Sequence, residues 1–403
     1  MRDRTVTVVG GGLSGLASAV GLARAGWRVR VLERRPEGGE VGSGLALPRN
    51  GVTALGALGI GEERVDEAGH RTVGTGFVDT LGRRVLTIPA DDPRVRRAVT
   101  VWGFHRQRLH ALLSRAARDT GVERVDGARV THVERGRPEG PPAVVHWRRD
   151  TVDHRDESDL VVGADGMWSA VRTALHPEVR PRYSGSTSWR ALVPVGALEG
   201  TGMDGRLVEY WGPGAEFGVM RVSADLVYWY GYERQPEGSV FDDELATARA
   251  HFAGWAPGVV SLIESTAPDQ LMRHDVHHLV RGPRRYHRGR VVLVGDAAHG
   301  ALPTMGQGAA TALEDGAVLA RLAGPAREGD LGRALAEFDA LRRPRCRAIA
   351  RQARLVARVG ADLGGGWRQR VRNAAFRLIP ANALVPVGMS AVSWSPPEPL
   401  TPA

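Results

Sequence analysis

The sequence predicts an α/β fold: a doubly wound parallel sheet, interrupted by an inserted mixed β-sheet and followed by C-terminal helices. Three observations carry this. Short apolar strands end in glycine turns that open into helices at three places, at the N-terminus, near residue 160 and near residue 295. Between the second and third, aromatic residues alternate with the period of two expected of strands. From Phe338 to Val359 the chain reads as helix. With 403 residues, 42% of them hydrophobic, the chain can bury a core large enough for two joined domains.

Residues 5–9 form the first expected strand, and Gly10-Gly11-Gly12-Leu13-Ser14-Gly15 opens a helix over 16–25. This is the dinucleotide fingerprint of a Rossmann-like unit. Gly10 permits the turn, Gly12 lets a pyrophosphate reach the helix N-terminus, and Gly15 brings helix against strand, with Leu13 and Ser14 at the same helix start. A second strand, 28–32, delivers Glu33 at the spacing where an acid accepts from the adenosine ribose, and Arg34 stands beside it. A helix over 105–113 presents Arg106 in its first turn, where it either meets the pyrophosphate or is solvated.

The next strand ends at Gly163 and leads through Asp165-Gly166 into a helix bearing Arg172. The third, 291–294, ends in Gly295-Asp296, whose carboxylate can accept sugar hydroxyls. Pro303 then stiffens the chain, and Gly306-Gln307-Gly308 lets bare backbone approach a flat ring before a helix that begins at Ala309. That helix start favours negative charge and would stabilise a flavin ring on reduction. Ligands of doubly wound sheets collect outside the carboxyl ends of the strands, so the three turns should converge on one crevice.

Five of the six tyrosines fall between Tyr183 and Tyr232, together with Trp189, Trp211 and Trp229. In 227–232 the period of two puts Tyr228, Tyr230 and Tyr232 on one face and Trp229 on the other; Tyr210 and Trp211 point oppositely. Trp211, Phe217, Met220, Tyr228 and Tyr230 are the candidates to line a substrate pocket, with ordinary sheet core as the alternative for each. Arg190 lies in the apolar run 189–194 and either orients an acidic or phenolic substrate or pairs with a buried acid.

All 54 basic side chains are arginine, and the net charge is +9. They are scattered rather than striped, which argues against nucleic-acid binding. Cys346 is the only cysteine, so no intrachain disulfide or cysteine metal cluster can form, and a reducing, cytoplasmic setting is expected. His277-His278 lack the clustered ligands of a zinc site, and His299 is read as shaping its turn rather than moving protons. No apolar stretch approaches the ~20 residues of a membrane span. The nearest, 374–394, is broken by Arg377, Pro380 and Pro386 and is expected to pack on the cofactor domain.

On Gly10-x-Gly12-x-x-Gly15 with Glu33, Asp165-Gly166 with Arg172, and Gly295-Asp296 with Pro303 and Gly306-Gln307-Gly308, the chain resembles the single-component, class A FAD-dependent monooxygenases, relatives of para-hydroxybenzoate and salicylate hydroxylases. The likeness covers nearly the whole chain, and motif order and spacing fit. Two departures are Leu47-Pro48-Arg49-Asn50, where a proline-asparagine-alanine run is usual, and Ala310, where many relatives carry asparagine. The resemblance implies a GR2-type FAD domain from 1–72, 101–178 and 283–340, a substrate domain from 73–100 and 179–282, and C-terminal helices and tail from 341–403. It implies FAD, NADPH or NADH as electron donor, and dioxygen. Oxygen would be transferred through a flavin hydroperoxide to an aromatic, phenolic or indolic small molecule, by a monomer or homodimer and in secondary metabolism. Pro303, Arg190 and Tyr210 are the expected catalytic residues, and 165–172 would serve both FAD and NADPH. Alkene epoxidation, an oxygen-independent FAD reductase or dehydrogenase, and a redox-silent FAD-binding protein are the alternatives.

Overall fold

The computed structural model describes residues 4–36, 42–324, 328–379 and 390–399. Its first sheet has six strands in the order His287–Arg288, Val291–Leu293, Leu160–Gly163, Thr5–Val9, Arg28–Glu33 and Glu123–Asp126, parallel except for the first pair. Val6, Val8, Val161, Val162, Val291 and Val292 are buried, as expected of a parallel sheet covered on both sides. The helices Leu13–Arg24 and Gly308–Ala323 pack closely because small residues meet at the contact: a Cβ on Gly316 would lie 2.7 Å from the backbone of Ala17. These helices begin at the expected turns, within three residues of the sequence boundaries.

The second sheet has nine strands. Eight lie in the order Met272–His278, Arg182–Pro194, Leu226–Arg234, Ala215–Arg221, Leu207–Gly212, His70–Asp79, Thr100–His105 and Gly44–Pro48, and Arg84–Thr87 pairs with His70–Asp79. It is mixed, because Leu207–Gly212 runs parallel to His70–Asp79 while the other pairs are antiparallel. Helices Glu244–Phe252 and Pro257–Glu264 cover one face, burying Trp189, Phe217, Trp229 and Phe252 in a shared core. One difference from the expected division stands out. Gly44–Pro48 and most of Thr100–His105, which fall within the residues expected in the FAD domain, hydrogen-bond into the mixed sheet.

A small antiparallel sheet, Arg129–Glu134, Ala143–Arg149 and Val152–Ser158, completes the strands named here. The expected C-terminal helix starts earlier than Phe338 and runs from Leu331 to Val359 despite Pro344 within it. Trp367–Leu378 forms a further helix; the middle of the 374–394 run, 380–389, lies outside the described residues. No helix among the described residues is long and apolar enough to cross a membrane.

Candidate active site

The first two glycine turns meet at one point. Gly10 has φ +105°, and a Cβ there would lie 2.4 Å from the Ala164 carbonyl oxygen; a Cβ on Gly15 would lie 1.9 Å from the Gly10 carbonyl oxygen. Gly12 differs, for its missing Cβ faces nothing within 4 Å. Space there is open to a ligand, at the N-terminus of the helix Leu13–Arg24. Glu33 accepts from the Gly11 amide (2.7 Å) and the Arg35 amide (2.8 Å), holding the loop. Arg34, Arg106, Asp165 and Gly166 line the same cleft, whose volume is about 780 Å³. His110, one helical turn beyond Arg106, donates to the Gly11 carbonyl (2.9 Å) and was missed by sequence reasoning; its spacing of four from Arg106 was the available signal.

Two residues of the second motif, Asp165 at the cleft wall and Arg172 in the helix that follows, spend their polar groups on protein partners. Asp165 accepts from Ser169 Oγ and from the Ala170 (2.7 Å) and Val171 (3.1 Å) amides, capping the helix Ala170–Leu175. Arg172, expected to touch cofactor, is 1% exposed and donates to the carbonyls of Met167 and Ala297 (3.2 Å). It staples the second turn to the third. Burial without a paired acid lowers its pKa.

The third turn sits on a buried charge network. Gly295 has φ +58°, and a Cβ there would lie 2.7 Å from Ser14, so the first and third turns touch. Leu13 and Ser14 are themselves buried. Asp315 accepts from the Gly295 amide (2.8 Å), from His299 Nε2 (2.6 Å) and from Arg342 Nε (2.6 Å). Burial alone would raise Asp315, but His299 and Arg342 hold it down at about 2. Arg342 also donates to Glu314 (2.6 Å), and Glu314 accepts from Asn50 (2.6 Å), whose amide in turn reaches Gln307 (2.9 Å). His299, Asp315 and Cys346 converge within 4.8 Å, but Arg342 already places a cation against Asp315 and Cys346. The network fixes both ends of the segment that carries exposed Asp296, Pro303 and Gly308; Gly306 takes a left-handed turn (φ +59°) and Ala309 begins the helix half-buried. The departure at Arg49 is peripheral, since its guanidinium binds Glu62 (3.1 Å).

Opposite this segment stands the face of the mixed sheet that the helices Glu244–Phe252 and Pro257–Glu264 do not cover. Ala46 lies 3.8 Å from where a Gly306 Cβ would be and packs with Met220 and Tyr228; Leu302 packs with Tyr232. Register puts Glu209, Gly218, Tyr230, Arg190 and Met272 in one row on that face. Tyr230 donates to Glu209 (2.5 Å). Arg190 forms no ion pair among the described residues and donates to Ser188 Oγ (3.3 Å), which removes the buried-acid alternative. Three expectations fail here. Tyr210 and Phe217 point to the opposite face, into the core beneath the helices, with rings 6.5 Å apart. Trp211 is on the right face but is buried against Phe77 (3.9 Å) and Gly360. Facing direction alone could not say what covers it.

A family model described as FAD binding domain matches residues 3–353. The chain is 35% identical over 357 residues to aurachin C monooxygenase/isomerase of Stigmatella aurantiaca, covering 88% of this chain and 89% of that one. It is 33% identical over 384 residues to 2-heptyl-3-hydroxy-4(1H)-quinolone synthase of Pseudomonas aeruginosa, covering 93% and 94%. The chain belongs to the class A FAD-dependent monooxygenases.

Klebsiella pneumoniae HpxO, solved with FAD and uric acid, superimposes on this monooxygenase with a TM-score of 0.82 at 27% identity, covering 96% of each chain. FAD is therefore the cofactor. The residues fit it: the cleft has a glycine loop with open space at Gly12, and the third turn leaves Asp296 and the helix start at Gly308 exposed. Besides His110, the residues missed by sequence reasoning in this monooxygenase are Glu209 and Glu216. A single acid in a largely apolar strand, third in Leu207–Gly212 and second in Ala215–Arg221, was their only signal.

Proposed function

We propose that this monooxygenase uses NADPH or NADH and dioxygen to hydroxylate a small aromatic molecule held between the Leu302–Gly308 segment and the Tyr228–Tyr230 face. The observation that carries the reading is that opposition: an exposed proline and bare glycine backbone on one side, and tyrosines with an unpaired arginine on the other. Relatives support the substrate class, being named for a quinolone, for 6-hydroxynicotinate and for urate, all flat nitrogen-containing rings.

FAD, when bound, would supply the redox chemistry, with two electrons from the nicotinamide, one oxygen atom of O2 entering the substrate and the other leaving as water. The chain's own residues bind and orient. Gly12 and the helix behind it receive the pyrophosphate, with Arg106 and Arg34 at the cleft wall. Asp296 would accept from the ribityl hydroxyls, and the Gly308 helix start would stabilise negative charge on the ring. Pro303 would shape the turn that receives the ring, and Tyr228, Met220 and Leu192, packed together on the sheet, would exclude water. Arg190 orients an oxygen substituent of the substrate. The buried lone cysteine fits a reducing compartment, and we place the enzyme in the cytoplasm.

The test follows NADPH oxidation with a panel of phenols, indoles and quinolones while oxygen-18 from O2 is traced into product. A compound that accelerates oxidation and gains one labelled atom supports hydroxylation. Accelerated oxidation with no label in any product overturns it.

A further inference from the structure

Glu216 is 4% exposed and takes no hydrogen bond from any described residue. It belongs to the row Trp211, Glu216, Tyr232, Ser188 and His274, next to the row of Glu209, Tyr230 and Arg190 and on the same face. A buried carboxyl without a protein partner costs stability, a cost that a hydrogen-bond donor on a ligand would offset. Glu209 lies beside it and has one partner, the Tyr230 hydroxyl (2.5 Å). Two neighbouring buried carboxyls cannot both ionise cheaply, and together they present one proton and several free lone pairs.

The other end of the face has the opposite character. Arg190 stands three strands away from Glu209, about 14 Å at ~4.8 Å per strand. Long side chains reaching inward from both ends leave room for a two-ring molecule lying over Tyr230. A hydrogen-bond donor on the ring would meet the carboxyls, and an oxygen acceptor would meet the guanidinium.

We propose that Glu216, assisted by Glu209, is the recognition subsite for a polarised ring N–H of the substrate, whose oxygen substituent Arg190 holds at the far end. The proposal rests on the reading of this face as the substrate side. It narrows the substrate to a nitrogen heteroaromatic with N–H and oxo groups on opposite edges, and it makes Glu216 a specificity residue. A site built to accept an N–H rejects the analogue lacking it, because the acceptor is then left unpaired.

The experiment titrates the FAD-loaded enzyme with 4(1H)-quinolone and with chromone, in which ring oxygen replaces N–H, and reads dissociation constants from the flavin absorbance change. The wild type is expected to prefer quinolone by about 10-fold or more. Glu216→Met should abolish the preference by weakening quinolone without weakening chromone, and Glu216→Gln, which keeps an acceptor oxygen, should retain part of it. Equal binding of the two rings by the wild type overturns the subsite. So does a preference unchanged in Glu216→Met, or a loss of both ligands alike in that variant. Oxygen-18 incorporation into any phenol would in those cases leave hydroxylation standing. Failure of every ring to perturb the flavin overturns the substrate side itself, and the subsite with it.

Discussion

Tyr230 reaches Glu209 across an intervening strand because Gly218, between them in the sheet, has no side chain. The hydroxyl lies 2.5 Å from the carboxylate, and a Cβ on Gly218 would lie 2.1 Å from the Tyr230 ring. Gly218→Ala should therefore displace the ring and break the bond, weakening aromatic ligands by roughly 10-fold, as loss of a charge-assisted hydrogen bond does, with FAD content unchanged. Ligand titration of the holoenzyme checks this. Wild-type affinity in the variant would show that the bond does not shape the pocket.

Glu216 gives a pH-dependent signature. Burial first, then the charges of Glu209 and Asp362, raise it well above its ordinary value of 4.5. Tyr230 and Tyr232 face the same space, and neither carries a positive charge. Above 4.5 the unfolded chain releases the proton that the native state retains, so stability falls as pH rises and levels off once the native carboxyl also ionises. Glu216→Gln should melt higher than the wild type at neutral and alkaline pH, by roughly 2 °C, and the two curves should merge below pH 4.5. Melting temperatures measured across that range decide it, and parallel curves would count against the raised carboxyl.

Two glycines of one loop should fail in different ways. A Cβ at Gly12 meets no protein atom within 4 Å, whereas at Gly15 it would lie 1.9 Å from the Gly10 carbonyl. Gly12→Val is expected to give folded protein that purifies without flavin. Gly15→Ala is expected to lose stability by a few kcal/mol, about the cost of overpacking, before any question of cofactor arises. Circular dichroism and the flavin-to-protein absorbance ratio separate the two outcomes.

Arg342 bridges two adjacent buried acids, Glu314 and Asp315, at 2.6 Å each, with Arg345 (2.7 Å) as the second cation on Glu314. Arg342→Met would leave Asp315 with only His299 as a charged partner and should cost about 3–5 kcal/mol. Because Asp315 also holds the Gly295 amide, flavin should dissociate faster from the variant. A urea titration together with dilution-driven loss of flavin fluorescence quenching tests both effects.

The cofactor half was legible because strand, glycine and acid occur together in the chain at each turn, even though only Gly15 meets a residue close in sequence, Gly10, while Gly10 and Gly295 are required by approach to the distant Ala164 and Ser14. Arg172 was misjudged because the carbonyl it binds at Ala297 lies 125 residues away. The substrate face was half legible. Alternation correctly separated Tyr228 and Tyr230 from Trp229, but nothing local says which face the helices Glu244–Phe252 and Pro257–Glu264 will cover, so Tyr210 and Phe217 were placed on the wrong side. Glu216 went unnoticed because an isolated strand glutamate looks like any solvated one until its two neighbouring strands pair with it and Gly360 and Ala361 pack on the adjacent Trp211 and Tyr232.

The chain passes between its two large sheets repeatedly. It leaves the first after Arg28–Glu33, contributes Gly44–Pro48, His70–Asp79 and Thr100–His105 to the second, returns for Glu123–Asp126 and Leu160–Gly163, departs again for Arg182–Pro194 through Met272–His278, and comes back at His287–Arg288. Neither half is a contiguous cassette that recombination could lift out whole. Exchanging the face that carries Glu209, Tyr230 and Arg190 for another would therefore cut the chain at several crossings, whereas a change of side chain on that face leaves the flavin framework's strands untouched.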